Sequence, residues 1–194
     1  MSMTKRERCM AAVKGEKPDK IPYSLWSHMP QFDHDADAIT EKTYEFYKTY
    51  DEDKLVSTPI ETAEDWTKLT VKPLTEGAIA HELHYLEMIL EKVKADDVPV
   101  IFTVFTPITT ANKLCGGKIG QYIHQGHGEE VKAALEVICQ TTEALAVKAI
   151  EMGADGVFMA SQMSNYATSM AVEPLTAAEY LAFEKNMHVL VILT

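Results

Sequence analysis

Two hydrophobic periods alternate along this chain. Val98, Val100, Ile101, Phe102, Val104 and Phe105 form a short β-branched and aromatic run, too short for a helix core. Such a run predicts a strand buried on both faces, as in a parallel sheet. Pro107 lacks a backbone donor and fixes φ, so the strand should stop at Thr106-Pro107. A polar helical start follows, Thr109 to Lys113, closed by Gly116-Gly117. The longest helical period runs from Glu129 to Met152, with Val131, Ala134, Leu135, Ile138, Leu145, Ile150 and Met152 on its apolar stripe. Gly153 closes it, and Gly156 to Ala160 reads as the next strand.

The remaining elements extend the alternation. Thr4 caps a first helix over about 5–14 with Cys9, Met10 and Val13 on one face, and Gly15 ends it. Pro18-Asp19 makes a turn before a strand over 21–26. A helix over 37–49 and a weak strand at 54–56 come next. Thr62 and Asp65 stand in capping-box spacing, and a helix over 76–94 carries Leu83, Leu86, Ile89, Leu90 and Val93 as core, alternating with His81, His84 and Tyr85. Gly126-His127-Gly128 is a break. Thr176 caps a helix reaching about 186, and an apolar strand over 188–193 closes the chain.

Helices alternating with strands in this way specify an α/β fold with a parallel sheet and helical crossovers. An open doubly-wound sheet and a (β/α) barrel both fit. A complete eight-unit barrel takes about 250 residues, and this chain has 194. One domain over 1–194, containing part of a barrel, is therefore the expectation. The final apolar strand leaves a bare edge, from which a homo-oligomer is expected.

Composition narrows the class. A net charge of −11 repels nucleic acid and anionic membrane. Three widely spaced cysteines, Cys9, Cys115 and Cys139, imply no disulfide framework. The sequence has neither an apolar run long enough to span a membrane nor a signal-peptide pattern. A soluble, cytoplasmic protein acting on a small molecule is expected.

Polar residues collect at three strand exits, which share one face of a parallel sheet. The first exit holds His28, Asp33, His34 and Asp35; the second Thr106, Thr109, Asn112 and Lys113; the third Ser161, Gln162, Ser164 and Asn165. Imidazole and carboxylate at the first exit are metal-ligand types, but their spacing matches no zinc pattern and reads better as a solvated acidic loop. His81 and His84 read as a surface pair. His124 and His127 flank Gly126, with Glu129 and Glu130 as the neighbouring carboxylates. There is no dinucleotide fingerprint, Walker loop, G-x-S-x-G or C-x-x-C.

Four stretches carry a resemblance: RCMAAVKGEKPDKIP from Arg8, DVPVIFTVFTPITTANKLCGG from Asp97, Ala134 to Gln162, and PLTAAEYLAF from Pro174. In this order they resemble the uroporphyrinogen decarboxylase superfamily, which includes corrinoid- and coenzyme M-dependent methyltransferases. The resemblance implies a (β/α)8 TIM barrel, with about its first half to two-thirds present, and a substrate at the C-terminal ends of the strands. The decarboxylases' substrate-binding tyrosine falls near Lys113, and their serine at Ser161 or Gln162. Their arginine pair has no counterpart in the loop SHMPQFDHD from Ser27. The segment between Leu55 and Thr62, where their catalytic aspartate belongs, is shortened. The late strands, with a histidine in decarboxylases and a zinc-binding His-x-Cys and Cys in methyltransferases, are absent.

Decarboxylation of a tetrapyrrole without a cofactor is the family-level expectation. It places Lys113 against a carboxylate, His28 or His34 as proton donor, and Thr106, Thr109, Asn112, Ser161 and Gln162 around the substrate. The alternatives are methyl transfer, which would bring zinc or a corrinoid, and a non-catalytic half-barrel that pairs with another copy.

Overall fold

The computed structural model describes residues 2–22, 60–162 and 175–184. The expected strands over 54–56 and 188–193, the strand over 21–26 from residue 23 onward, the helix over 37–49, and the residues His28, Asp33, His34, Asp35, Ser164 and Asn165 lie outside them. The elements are α1 (Lys5–Val13), a 3-10 helix (Ala63–Lys68), α2 (Gly77–Val93), β1 (Ile101–Phe105), α3 (Pro107–Leu114), α4 (Ile119–His124), α5 (Gly128–Met152), β2 (Gly156–Ala160) and α6 (Ala177–Glu184).

β1 and β2 pair in parallel, with Ile101 opposite Gly156 and Phe105 opposite Ala160. A parallel pair requires a crossover, and α3, α4 and α5 supply it. Successive strand side chains point to opposite faces. Phe102, Val104 and Val157 turn to the helices and pack with Leu83, Leu86 and Ile89 of α2 and Leu145 and Ala149 of α5. A second core joins Trp66, Ile108 and Ala111 to Val131 and Leu135 of α5 and Phe183 of α6. α5 thus serves both cores, one with each half.

The structure corrects four expectations. The strand Ile101–Phe105 is not buried on both faces: Ile101 is 37% exposed, and Phe158, which stands opposite Thr103 on the same face, is 58% exposed. Val98 and Val100 are buried but precede the strand. In α1 the buried residues are Arg8 and Ala11, while Val13 faces solvent. Arg8 is buried because it is paired: its guanidinium donates to both carboxylate oxygens of Asp19 (2.6 and 3.0 Å) and to the Met3 carbonyl (2.9 Å). Tyr85, expected to alternate with the core of α2, is part of it.

Caps fix where helices begin. Thr4 and Glu7 form a capping box at α1, and Thr62 and Asp65 form one at the 3-10 helix. The Asp65 carboxyl, receiving the Thr62 hydroxyl and backbone N–H, sits well below the usual carboxylate range. At the end of α3, Gly116 and Gly117 adopt φ of 60° and 85°. There the Gly117 N–H reaches the Asn112 carbonyl (2.8 Å). A side chain would be strained at either position, and the turn they make redirects the chain into α4.

The N-terminal ends of the strands are closed by α1. The Arg6 guanidinium grips both oxygens of Asp155, donates to the Val98 carbonyl (3.2 Å) and meets Asp97 (3.2 Å). Asp155 in turn accepts from the Val100 N–H (2.8 Å), and the Asp155 N–H donates to the Val100 carbonyl (2.8 Å). Asp97 takes φ of 48°, a left-handed conformation that aspartate tolerates better than most residues.

Candidate functional site

The opposite, C-terminal ends of β1 and β2 bring the second and third strand exits together. Thr106 caps α3 and Pro107 opens it, with no side-chain capping bond from Thr106. The Thr106 hydroxyl instead meets the Thr109 hydroxyl (2.8 Å). Thr109 Oγ1 also accepts from the Gln162 backbone N–H (3.1 Å), and the Thr106 N–H donates to the Ala160 carbonyl (3.0 Å). Both threonines are buried. Their hydroxyls join the two exits to each other.

Asn112, one turn along α3 from Thr109, is also buried. Its side-chain oxygen accepts from the Ile119 N–H (3.5 Å), and its carbonyl takes the Cys115 thiol (3.3 Å) as well as Gly117. Burial pushes the Cys115 thiol up to about 11, so it is neutral at pH 7 and a poor nucleophile.

Lys113, Ser161 and Gln162 are half-buried. The Lys113 ammonium lies 4.9 Å from the centre of the Phe105 ring, a cation–π contact. The Ser161 hydroxyl lies 3.4 Å from the Tyr180 hydroxyl of α6. Tyr180 is the site residue that sequence reasoning missed. A signal was available, because Thr176 sets the phase of α6 and Tyr180 stands three residues before Phe183, on the same inward face.

α6 is held against α4 by His124 Nε2 and Glu179 Oε1 (2.9 Å). The Thr176 N–H, the Thr176 hydroxyl and His124 together hold the Glu179 carboxyl below its ordinary range. His124 therefore faces a carboxylate from a distant segment, and His127 faces Glu130 (3.7 Å). His84 pairs with Glu87 (3.4 Å) on the surface of α2. Among the described residues no group of three or more His, Cys, Asp or Glu side chains is placed to hold a metal ion. No helix among them is long and apolar enough to cross a membrane.

Among the described residues, the strand ends offer the Lys113 cation, the Phe105 ring, the Ser161 and Tyr180 hydroxyls and the Gln162 amide. That set orients a small organic molecule and provides little to neutralise several negative charges at once.

A family model described as uroporphyrinogen decarboxylase (URO-D) matches residues 44–180, more than half of the chain. A solved methyltransferase from Methanosarcina mazei is similar in structure, with a TM-score of 0.73 at 18% sequence identity. The alignment covers 96% of this chain and 65% of that one, so the chain spans less than two thirds of that protein's length. At this identity the likeness speaks to fold. A search of curated proteins finds no match.

Proposed function

Because the chain belongs to the uroporphyrinogen decarboxylase family, whose members are TIM barrels, we propose that it binds a small methyl donor or acceptor over the C-terminal ends of β1 and β2. The observation that carries this reading is where the arginines go. A polycarboxylate tetrapyrrole calls for fork-shaped cationic donors. The chain has two arginines, Arg6 and Arg8, both on α1. Arg6 is bound to Asp97 and Asp155 at the N-terminal ends of the strands, and Arg8 is bound to Asp19. Lys113 is a single cation already stacked on Phe105.

The methyltransferase that shares this architecture supports the methyl-transfer branch. Zinc, where a methyltransferase uses it, activates a thiol acceptor. The described residues do not supply its ligands, and no step is assigned through it. The roles proposed for this chain are positional: Lys113 and Phe105 on one side, Ser161, Gln162 and Tyr180 on the other, with Thr106, Thr109 and Asn112 fixing the backbone between them.

Titration with methylcobalamin, followed by absorbance, is expected to saturate and to weaken in Ser161→Ala. Anaerobic incubation with uroporphyrinogen is expected to leave the substrate unchanged. Coproporphyrinogen appearing in that incubation would overturn the reading and restore decarboxylation, with Lys113 against the leaving carboxylate and His28 or His34 as proton donor.

A non-catalytic, self-associating role is favoured by a different observation, the exposure of Ile101 and Phe158 on the sheet face turned away from the helices. Light scattering at micromolar concentration tests it, and a stable monomer removes it.

A further inference from the structure

A cavity of about 60 Å³ lies on the helix-facing side of β1, where Val104, Leu114, Ile138 and Leu145 form apolar walls. At about 10–15 Å³ per water-sized group, this space accepts roughly four to six methylene-sized atoms.

Its polar lining is not used up by the fold. Thr141 is satisfied: its hydroxyl donates to the Val137 carbonyl (3.1 Å) and accepts from the Lys72 N–H (3.2 Å). That second bond sets Lys72 against the turn of α5 that carries Thr142. Thr142 is only 8% exposed, lines the cavity, and makes no side-chain hydrogen bond to any described residue. Its hydroxyl is not sealed off, since Trp66 Nε1 is the one enclosed side-chain nitrogen or oxygen without a partner among the described residues, and the hydroxyl remains open to a ligand. Lys72 is half-buried, is the one charged residue among the described lining residues, and has no ion pair with a described residue. A half-buried lysine with no carboxylate partner among the described residues stands out in a chain with 29 acidic residues against 18 basic ones.

We propose that this cavity is a binding site for a short-chain monocarboxylate. The tail, about four to six carbons long, occupies the apolar walls, and the carboxylate accepts from the Thr142 hydroxyl and the Lys72 ammonium. A carboxylate is the head group that suits two donors and one positive charge. An alcohol satisfies the hydroxyl but not the charge, and an ammonium is repelled by it. The site lies behind the strands, on the opposite face of β1 from Ile101, and does not depend on the reaction proposed for the strand ends.

The test is a nuclear magnetic resonance titration of the whole chain with hexanoate, butanoate, hexan-1-ol and hexylammonium. Hexanoate is expected to saturate, with shifts concentrated at residues 69–72 and 137–145. It should bind up to about fivefold tighter than hexan-1-ol, the worth of a partly exposed ion pair. Each methylene removed should weaken binding about fourfold. Lys72→Met, a change of a half-buried side chain outside the helices, should abolish the preference over hexan-1-ol while sparing the spectrum of the free protein. The proposal is overturned by shifts that do not saturate or that fall elsewhere, by equal binding of hexanoate and hexylammonium, or by a head-group preference that survives Lys72→Met.

Discussion

Thr109 is one hydroxyl with two duties, meeting Thr106 and receiving the Gln162 N–H. Thr109→Val keeps the shape and removes both bonds, leaving a buried hydroxyl and a backbone donor unmet. The expected cost is about 1–3 kcal/mol, read as a lower midpoint in urea, while Thr109→Ser should recover most of it. Cys115 makes a second residue-scale prediction. Its thiol titrates near 11 when folded against an ordinary 9.0, so the folded state binds the proton more tightly. That contribution is fully present below pH 9 and is lost as pH rises toward 11. Cys115→Ser should flatten stability across this window. A thiol reagent at pH 7 should label Cys115 only as fast as the protein opens.

At the scale of elements, the Arg6 latch joins α1 to the segments just before β1 and β2. Arg6→Ala strips Asp155 of its cation, although the Val100 N–H still reaches that carboxylate. Because Arg6 is partly exposed, a loss of about 1 kcal/mol is expected, visible as a lower Tm at low salt and a smaller loss at high salt. Asp155→Asn should cost less, since the amide oxygen can still accept from Val100. How far these elements could be read from sequence depended on which force made them. β2 and α5 follow from apolar period and a closing glycine, and match their expected spans within a residue. α4 was missed because six residues behind two glycines give too short a period to read. The inner face of α1 was misread because pairing with Asp19 buries Arg8, and hydrophobicity does not report pairing. The strand-exit residues were visible as a group, but not that Thr106 and Thr109 spend their hydroxyls on each other, nor that α6 brings Tyr180 to Ser161. The first is a choice of partner within one helical turn and the second joins residues 19 positions apart, and neither leaves a hydrophobic period to read.

For the whole molecule, charge is the dominant global term. A net charge of −11 works against compactness everywhere, whereas the ion pairs among the described residues lie mostly at the surface, where each is worth little. Screening the repulsion should therefore outweigh weakening the pairs. Tm should rise between about 10 and 150 mM sodium chloride, where the screening length falls from about 30 to 8 Å. A falling Tm would mean that the pairs dominate.

The Arg6 latch also imposes an order of events during synthesis. Arg6 and Asp155 are separated by 149 positions. At about 5–20 residues per second, α1 leaves the peptidyl-transferase centre roughly 7–30 seconds before its partner is made. A short helix of modest apolar content has little to hold it meanwhile. Until Asp155 is made, the only parts of the latch open to Arg6 are Asp97 and the Val98 carbonyl, so a ribosome stalled before Asp155 should present α1 more open to a protease than the finished chain does.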